Sequence, residues 1–123
     1  MSKATILVVD ADSSHRQSIR RVLRAEGYRV LEAADYRAAE NVQQQHRGQV
    51  GLVLTAISLP GGNGYELAKA LVDLEPDIKV LFVSAAAGAK VSRYYKTAWA
   101  DMQTLHRPFE AADLLRRVKL ILE

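Results

Sequence analysis

The chain has 123 residues, 49% of them hydrophobic, and a formal net charge of +3. That is the size of one domain with its own core, and it excludes a disordered chain. There is no cysteine, which excludes a disulfide framework, a thiolate zinc site and a cysteine nucleophile. The start, Met-Ser-Lys-Ala-Thr, leads directly into the apolar run Ile6 to Val9. That run is too short for a signal peptide or a membrane span, so a cytoplasmic protein is expected. Thr5 to Val9 predicts a first strand. The acidic and serine-rich stretch 10–14 follows, where Asp12 or Ser13 can cap a helix by accepting from free backbone N–H groups. That first helix runs to about Glu26, with Ile19, Val22 and Leu23 on one face. Gly27 is its expected left-handed stop. Arg16, Arg20, Arg21 and Arg24 fall at helical spacing and read as a solvated face. Basic residues are otherwise spread along the chain, which argues against a nucleic-acid interface in this domain alone.

Arg29 to Ala33 predicts a second strand. Asp35 caps a second helix from Tyr36 to Gln45, with Ala38, Ala39 and Val42 facing in; the polar run 43–48 ends it. The stretch 50–64, Val-Gly-Leu-Val-Leu-Thr-Ala-Ile-Ser-Leu-Pro-Gly-Gly-Asn-Gly, then organises the chain. Its apolar run, Leu52 to Leu54, reads as a strand buried on both faces. Pro60 and the glycines after it predict an irregular loop. In an open parallel sheet the carboxyl end of a central strand is where ligands and chemistry sit. The positions to inspect are therefore Thr55, Ala56, Ile57 and Ser58, and the natural reactive position is an alanine.

A third helix starts near Gly64 with an inward stripe of Leu67, Ala68, Leu71 and Leu74. Pro76 and Asp77 break the chain, and Lys79 to Val83 predicts a fourth strand ending at Ser84. A small-residue loop, 85–89, leads to a fourth helix over 90–98. A weak fifth strand over 102–105 precedes His106-Arg107-Pro108-Phe109. The last helix, 111–122, buries Leu114, Leu115, Val118, Ile121 and Leu122. Five β-α repeats imply a single domain over 1–123, with one parallel five-stranded sheet, helices on both faces and right-handed crossovers.

The strand tips around the switch point of such a sheet converge on one crevice. Here they supply Asp10, Ala11, Asp12, Ala56, Ser58, Ser84 and Arg107. With Ile-Leu-Val-Val-Asp at 6–10, Leu-Pro-Gly-Gly-Asn-Gly at 59–64, Val-Ser-Ala at 83–85 and Arg-Pro-Phe at 107–109, the chain resembles the receiver domain of two-component response regulators. The resemblance covers almost the whole chain and implies a flavodoxin-like, doubly wound (βα)5 fold. In that family an acidic pair after strand one and an aspartate ending strand three hold Mg²⁺. That aspartate takes a phosphoryl group from a histidine kinase. A hydroxyl residue after strand four and a lysine before a proline contact the phosphoryl oxygens. The metal and ammonium are needed because a carboxylate is a poor nucleophile toward an anionic donor.

Carried over by position, the acidic pair falls on Asp10 and Ala11, and the phosphoacceptor falls on Ala56. The hydroxyl residue falls on Ser84, and the lysine falls on Arg107, whose planar fork differs from an ammonium. The aromatic switch position falls on Thr104. Mg²⁺ dehydrates reluctantly and has lost two carboxylates, so binding is expected to be weak or absent, with no cofactor implied. The expected role is an atypical receiver, or pseudo-receiver: not an enzyme, but a module acting in phosphorelay signalling by protein–protein contact without aspartyl phosphorylation. An ordinary phosphorylatable receiver carrying a deliberate Asp-to-Ala replacement at position 56 is the alternative. One engineered change does not account for Ala11, Thr104 and Arg107.

Asp10 can equally be a loop acid paired with Arg107, Asp12 a cap, and Ser84 a partner for a strand-end backbone group. The resemblance suggests a cis Arg107–Pro108 bond. His15, His46 and His106 show no ligand spacing. Tyr94, Tyr95 and Trp99 cannot all face inward; with Thr104 they fall on the face that this family uses for contacts, where an exposed aromatic can anchor a partner. The partners implied are a histidine kinase, an output domain, another receiver or a second copy of this chain, with no membrane. Two acids in the loop after strand one disfavour a flavin phosphate site, and no Gly-rich loop points to a nucleotide-handling enzyme. A stand-alone protein and a piece of a larger regulator or kinase both accommodate the reading.

Overall fold

The computed structural model describes residues 3–84 and 104–123. The elements are β1 (Thr5–Val9), α1 (Ser13–Ala25), β2 (Arg29–Ala33), α2 (Tyr36–Gln45), β3 (Val50–Ala56), β4 (Ser58–Leu59), β5 (Gly62–Asn63), α3 (Gly64–Leu74), β6 (Lys79–Ser84), β7 (Thr104–His106) and α4 (Ala111–Leu122). The helix expected over 90–98 lies outside the described residues, as do Tyr94, Tyr95, Trp99 and the first two positions of the expected fifth strand.

β2, β1, β3, β6 and β7 lie side by side in that order, all parallel. Order reverses beside β1, so the tips of β1 and β3 flank the switch point, where open α/β sheets hold their ligands. Leu52, Val53 and Leu54 at the centre of β3 are buried, as a doubly covered strand requires. Leu7, Val53, Leu71 and Phe82 pack on one face of the sheet. Ile6, Leu54, Leu81 and Val118 pack on the other.

Local chemistry explains the helix ends. Asp12 caps α1 by accepting from the Ser14 and His15 N–H groups, and Asp35 caps α2 through the Ala38 N–H. Asn63 caps α3 through the Glu66 N–H. Gly27 follows α1 with φ +96°, the left-handed geometry that a side chain disfavours.

Four expectations need correction. The segment after β3 is not irregular: β4 and β5 form a short antiparallel hairpin, Ser58 opposite Asn63 and Leu59 opposite Gly62. Pro60 and Gly61 supply its turn. Gln43 is buried rather than part of a solvated run, because its amide donates to the Glu75 carboxylate, which also accepts from the Gly48 N–H. Leu74 is 53% exposed at the end of α3, where neighbouring Glu75 turns inward instead. The arginines of α1 are only partly a solvated face. Arg16 and Arg20, one turn apart, both reach Glu32 on β2, at 3.1 and 2.7 Å.

Among the described residues, no helix is long and apolar enough to cross a membrane.

Candidate functional site

The crevice is built from strand ends. Asp10 follows β1 directly, and its N–H donates to the Ala33 carbonyl at the end of β2. The Arg107 N–H donates to the Ser84 carbonyl at 2.9 Å, tying the tip of β7 to the tip of β6. The Arg107–Pro108 peptide bond is cis, as the resemblance suggests.

Asp10 and Arg107 meet across this crevice although they are 97 positions apart in sequence. Arg107 Nη2 donates to Asp10 Oδ2 at 3.1 Å. Asp10 Oδ1 accepts from the Asp12 N–H at 2.9 Å. Their side chains are 11% and 20% exposed for Asp10 and Arg107. Solvent therefore screens this pair less than a surface pair.

Two groups at the site were not legible as site residues. The His15 Nδ1 lies 3.8 Å from a carboxylate oxygen of both Asp10 and Asp12. The Arg16 Nη1 donates to the Asp10 carbonyl at 2.8 Å. The available signal was spacing: with Asp12 as N-cap, His15 and Arg16 fall in the first turn, facing the strand end.

Ala56 is the last residue of β3, in register with Val83 of β6, and is half-buried against the core. Its carbonyl accepts from the Thr55 hydroxyl. Gly64 approaches that carbonyl so closely that a Cβ on Gly64 would lie 2.2 Å from it. Ser84 ends β6 and is buried, and Ala11 is exposed in the loop after β1. Thr104 opens β7, and its carbonyl accepts from Arg117. Asp10, Ser84 and Arg107 are thus drawn together by the tips of β1, β6 and β7, with Ala56 at the tip of the strand between β1 and β6.

The residues present do not fit the family's Mg²⁺. Both Asp10 oxygens are engaged, one of them by a guanidinium. Ala11 and Ala56 offer only methyl groups. Among the described residues, no group of three or more His, Asp or Glu could hold a metal ion.

The N–H of His15 is the chief cause holding the Asp12 carboxyl below its ordinary value of 3.8. The His15 ring and the Ser14 N–H add to this, against a smaller opposing effect of desolvation. A carboxyl lowered in the folded state contributes stability above its unfolded value and loses it as pH falls through the folded one. Asp12→Asn keeps a capping acceptor without the charge. The parent chain should therefore melt above the variant near neutral pH. That advantage should vanish in acid below the ordinary value of 3.8. Thermal melts of both proteins across this range test it; a pH-independent gap would contradict it.

Comparison with known proteins agrees with this architecture. The family model for the response regulator receiver domain matches residues 6–119. The chain is 33% identical over 120 residues to the sensor kinase CckA of Brucella abortus, covering 98% of this chain but 13% of that protein. It is 28% identical to the response regulator receiver protein CpdR of the same organism, covering 95% of each. It spans 51% of the Pseudomonas aeruginosa phosphate regulon regulator PhoB, at 32% identity. Among solved structures, a CheY-like receiver domain protein from Methanospirillum hungatei matches with TM-score 0.84 at 30% identity, covering 98% of this chain and 94% of that one. The receiver domain of the hybrid histidine kinase CckA matches with TM-score 0.80 at 30% identity, covering 98% and 100%. Sequence, sheet order and these likenesses agree, and the chain belongs to the response regulator receiver domain family.

Proposed function

We propose that this receiver domain signals by protein–protein contact in a two-component pathway, without taking a phosphoryl group at the end of β3. The observation that carries the reading is the engagement of Asp10 by Arg107. In a phosphorylatable crevice the corresponding acid faces a metal. Here a guanidinium takes that place, and the strand between β1 and β6 ends in a methyl group at Ala56. The crevice thus holds its own counter-charge and needs neither metal nor phosphoryl group to be neutral. Asp10 and Arg107 act as an internal latch that keeps the strand tips in one arrangement.

A histidine kinase, an output domain, another receiver or a second copy of the chain are the partners this reading admits. The face that carries Tyr94, Tyr95, Trp99 and Thr104 is proposed as the contact surface. The kinase and stand-alone relatives place similar domains both inside a sensor kinase and in a protein of about this length.

Intact-mass spectrometry tests the reading on the chain as it is. With Mg²⁺ and a small-molecule phosphodonor, the mass should not change. A base-labile adduct of about 80 Da, one phosphoryl group, would show that another carboxylate has taken over and would overturn it.

A further inference from the structure

A groove runs between α1 and α4, on the side of the Asp10–Arg107 pair away from β3. Its volume is about 530 Å³, within the range of small-molecule sites. Ile19 and Val22 of α1 and Leu114 of α4 give it apolar walls, and Phe109 closes the end nearest β7. His15 and Arg107 stand at that same end.

The charge at this end is positive. Arg107 uses one N–H on Asp10, and its other N–H groups have no hydrogen-bond partner among the described residues. Its guanidinium carbon lies 5.5 Å from the centroid of the Phe109 ring, so the ring holds the fork at the groove's edge. Neither Asp10 nor Asp12 lines the groove. α1 itself contains no acidic residue, and its exposed Arg21 and Arg24 have no ion-pair partner among the described residues. Such a field favours entry of an anion.

Cationic donors converge at one end and aliphatic walls fill the rest, which orients a molecule with one charged head and an apolar body. We propose that the α1–α4 groove binds a small amphipathic organic anion, its carboxylate on the free edge of Arg107 and its hydrocarbon body against Ile19, Val22 and Leu114. A planar carboxylate matches the guanidinium fork and can accept two parallel hydrogen bonds from it. Such a ligand competes with Asp10 for the same guanidinium, so occupancy loosens the latch from outside the crevice. The site rests on the groove's lining alone and stands whether or not the crevice takes a phosphoryl group.

Two-dimensional amide NMR of the full chain tests this with naphthoate, with naphthamide as the uncharged twin and acetate as the charge without the body. Naphthoate should give saturable shifts at Ser18, Val22, Phe109 and Leu114. Naphthamide should bind at least about tenfold more weakly, as expected for losing a charge-assisted hydrogen bond. Acetate should not saturate. Arg107→Met should weaken naphthoate to the level of naphthamide. Ser18 is exposed on the groove's rim, so Ser18→Trp should abolish binding by filling the groove while the chain melts as before. No saturable shift with naphthoate, equal binding of naphthoate and naphthamide, or undiminished binding by a folded Ser18→Trp protein would each overturn the proposal.

Discussion

Gly64→Ala should cost about 3 kcal/mol, the upper end for forcing one extra carbon into a packed site. For a domain of this size that is a fall in Tm of roughly 10 °C. A Cβ at Gly64 would sit 2.2 Å from the Ala56 carbonyl oxygen and 3.1 Å from both the Ala56 carbonyl carbon and Ile57 Cα. All three are backbone atoms, so no side chain can rotate away to relieve the clash. Either α3 must move off the tip of β3 or the tip must move off α3. The Gly64 N–H also donates to the Ile57 carbonyl at 2.7 Å, and that bond would stretch with either movement. The change thus reaches the crevice through the backbone of Ala56. Urea or thermal unfolding of the parent and the variant reads it directly. A variant as stable as the parent would show that the two segments do not approach this closely.

Arg107→Met should cost about 2 kcal/mol, within the range for a hydrogen bond to a charged group that is largely out of water. The substitution keeps an unbranched apolar stem over Phe109 and removes the guanidinium. Asp10 then retains the Asp12 N–H and loses its counter-charge in a place where its side chain is 11% exposed. The penalty comes mostly from that stranded carboxylate. Asp10→Asn in the Arg107→Met background should therefore recover much of the loss. A double-mutant cycle should give a coupling of about 1–2 kcal/mol, as residues in direct contact do. Additive single effects would mean that the 3.1 Å contact carries no stability and that the latch is not one.

Much of the fold was legible because each strand announces itself locally. The β-branched runs at Thr5–Val9 and Arg29–Ala33 fall where they were expected, and Asp12 and Asp35 cap the helices they precede. These features depend on neighbours a few residues away. The Asp10–Arg107 contact was accessible by a different route. Strand alternation puts the ends of β1 and β7 at the same edge of the sheet, so an acid and a base there can meet.

Other features depend on contacts that no local pattern encodes. Gln43 is polar and sits near the end of α2, yet it is buried because Glu75 lies opposite, 32 residues on. The turn of Pro60 and Gly61 reads as an interruption, but four flanking residues pair into a hairpin around it. His15 gives no ligand spacing in the sequence. Its position beside Asp10 and Asp12 follows from where the first turn of α1 starts. Arg16 and Arg20 likewise look like surface charge until β2 brings Glu32 beneath them.

The central claim is that the whole crevice, and not residue 56 alone, has left phosphoryl chemistry. The direct test is intact-mass spectrometry of Ala56→Asp after incubation with Mg²⁺ and a small-molecule phosphodonor. Beside it stands the triple variant Ala11→Asp, Ala56→Asp, Arg107→Lys, which supplies a second acid and replaces the guanidinium by an ammonium. The account predicts no adduct on the single variant and a base-labile phosphoryl adduct on the triple. Stoichiometric labelling of Ala56→Asp by itself would contradict it. That result would mean that Asp10, Ser84 and Arg107 still form a working site lacking only its nucleophile.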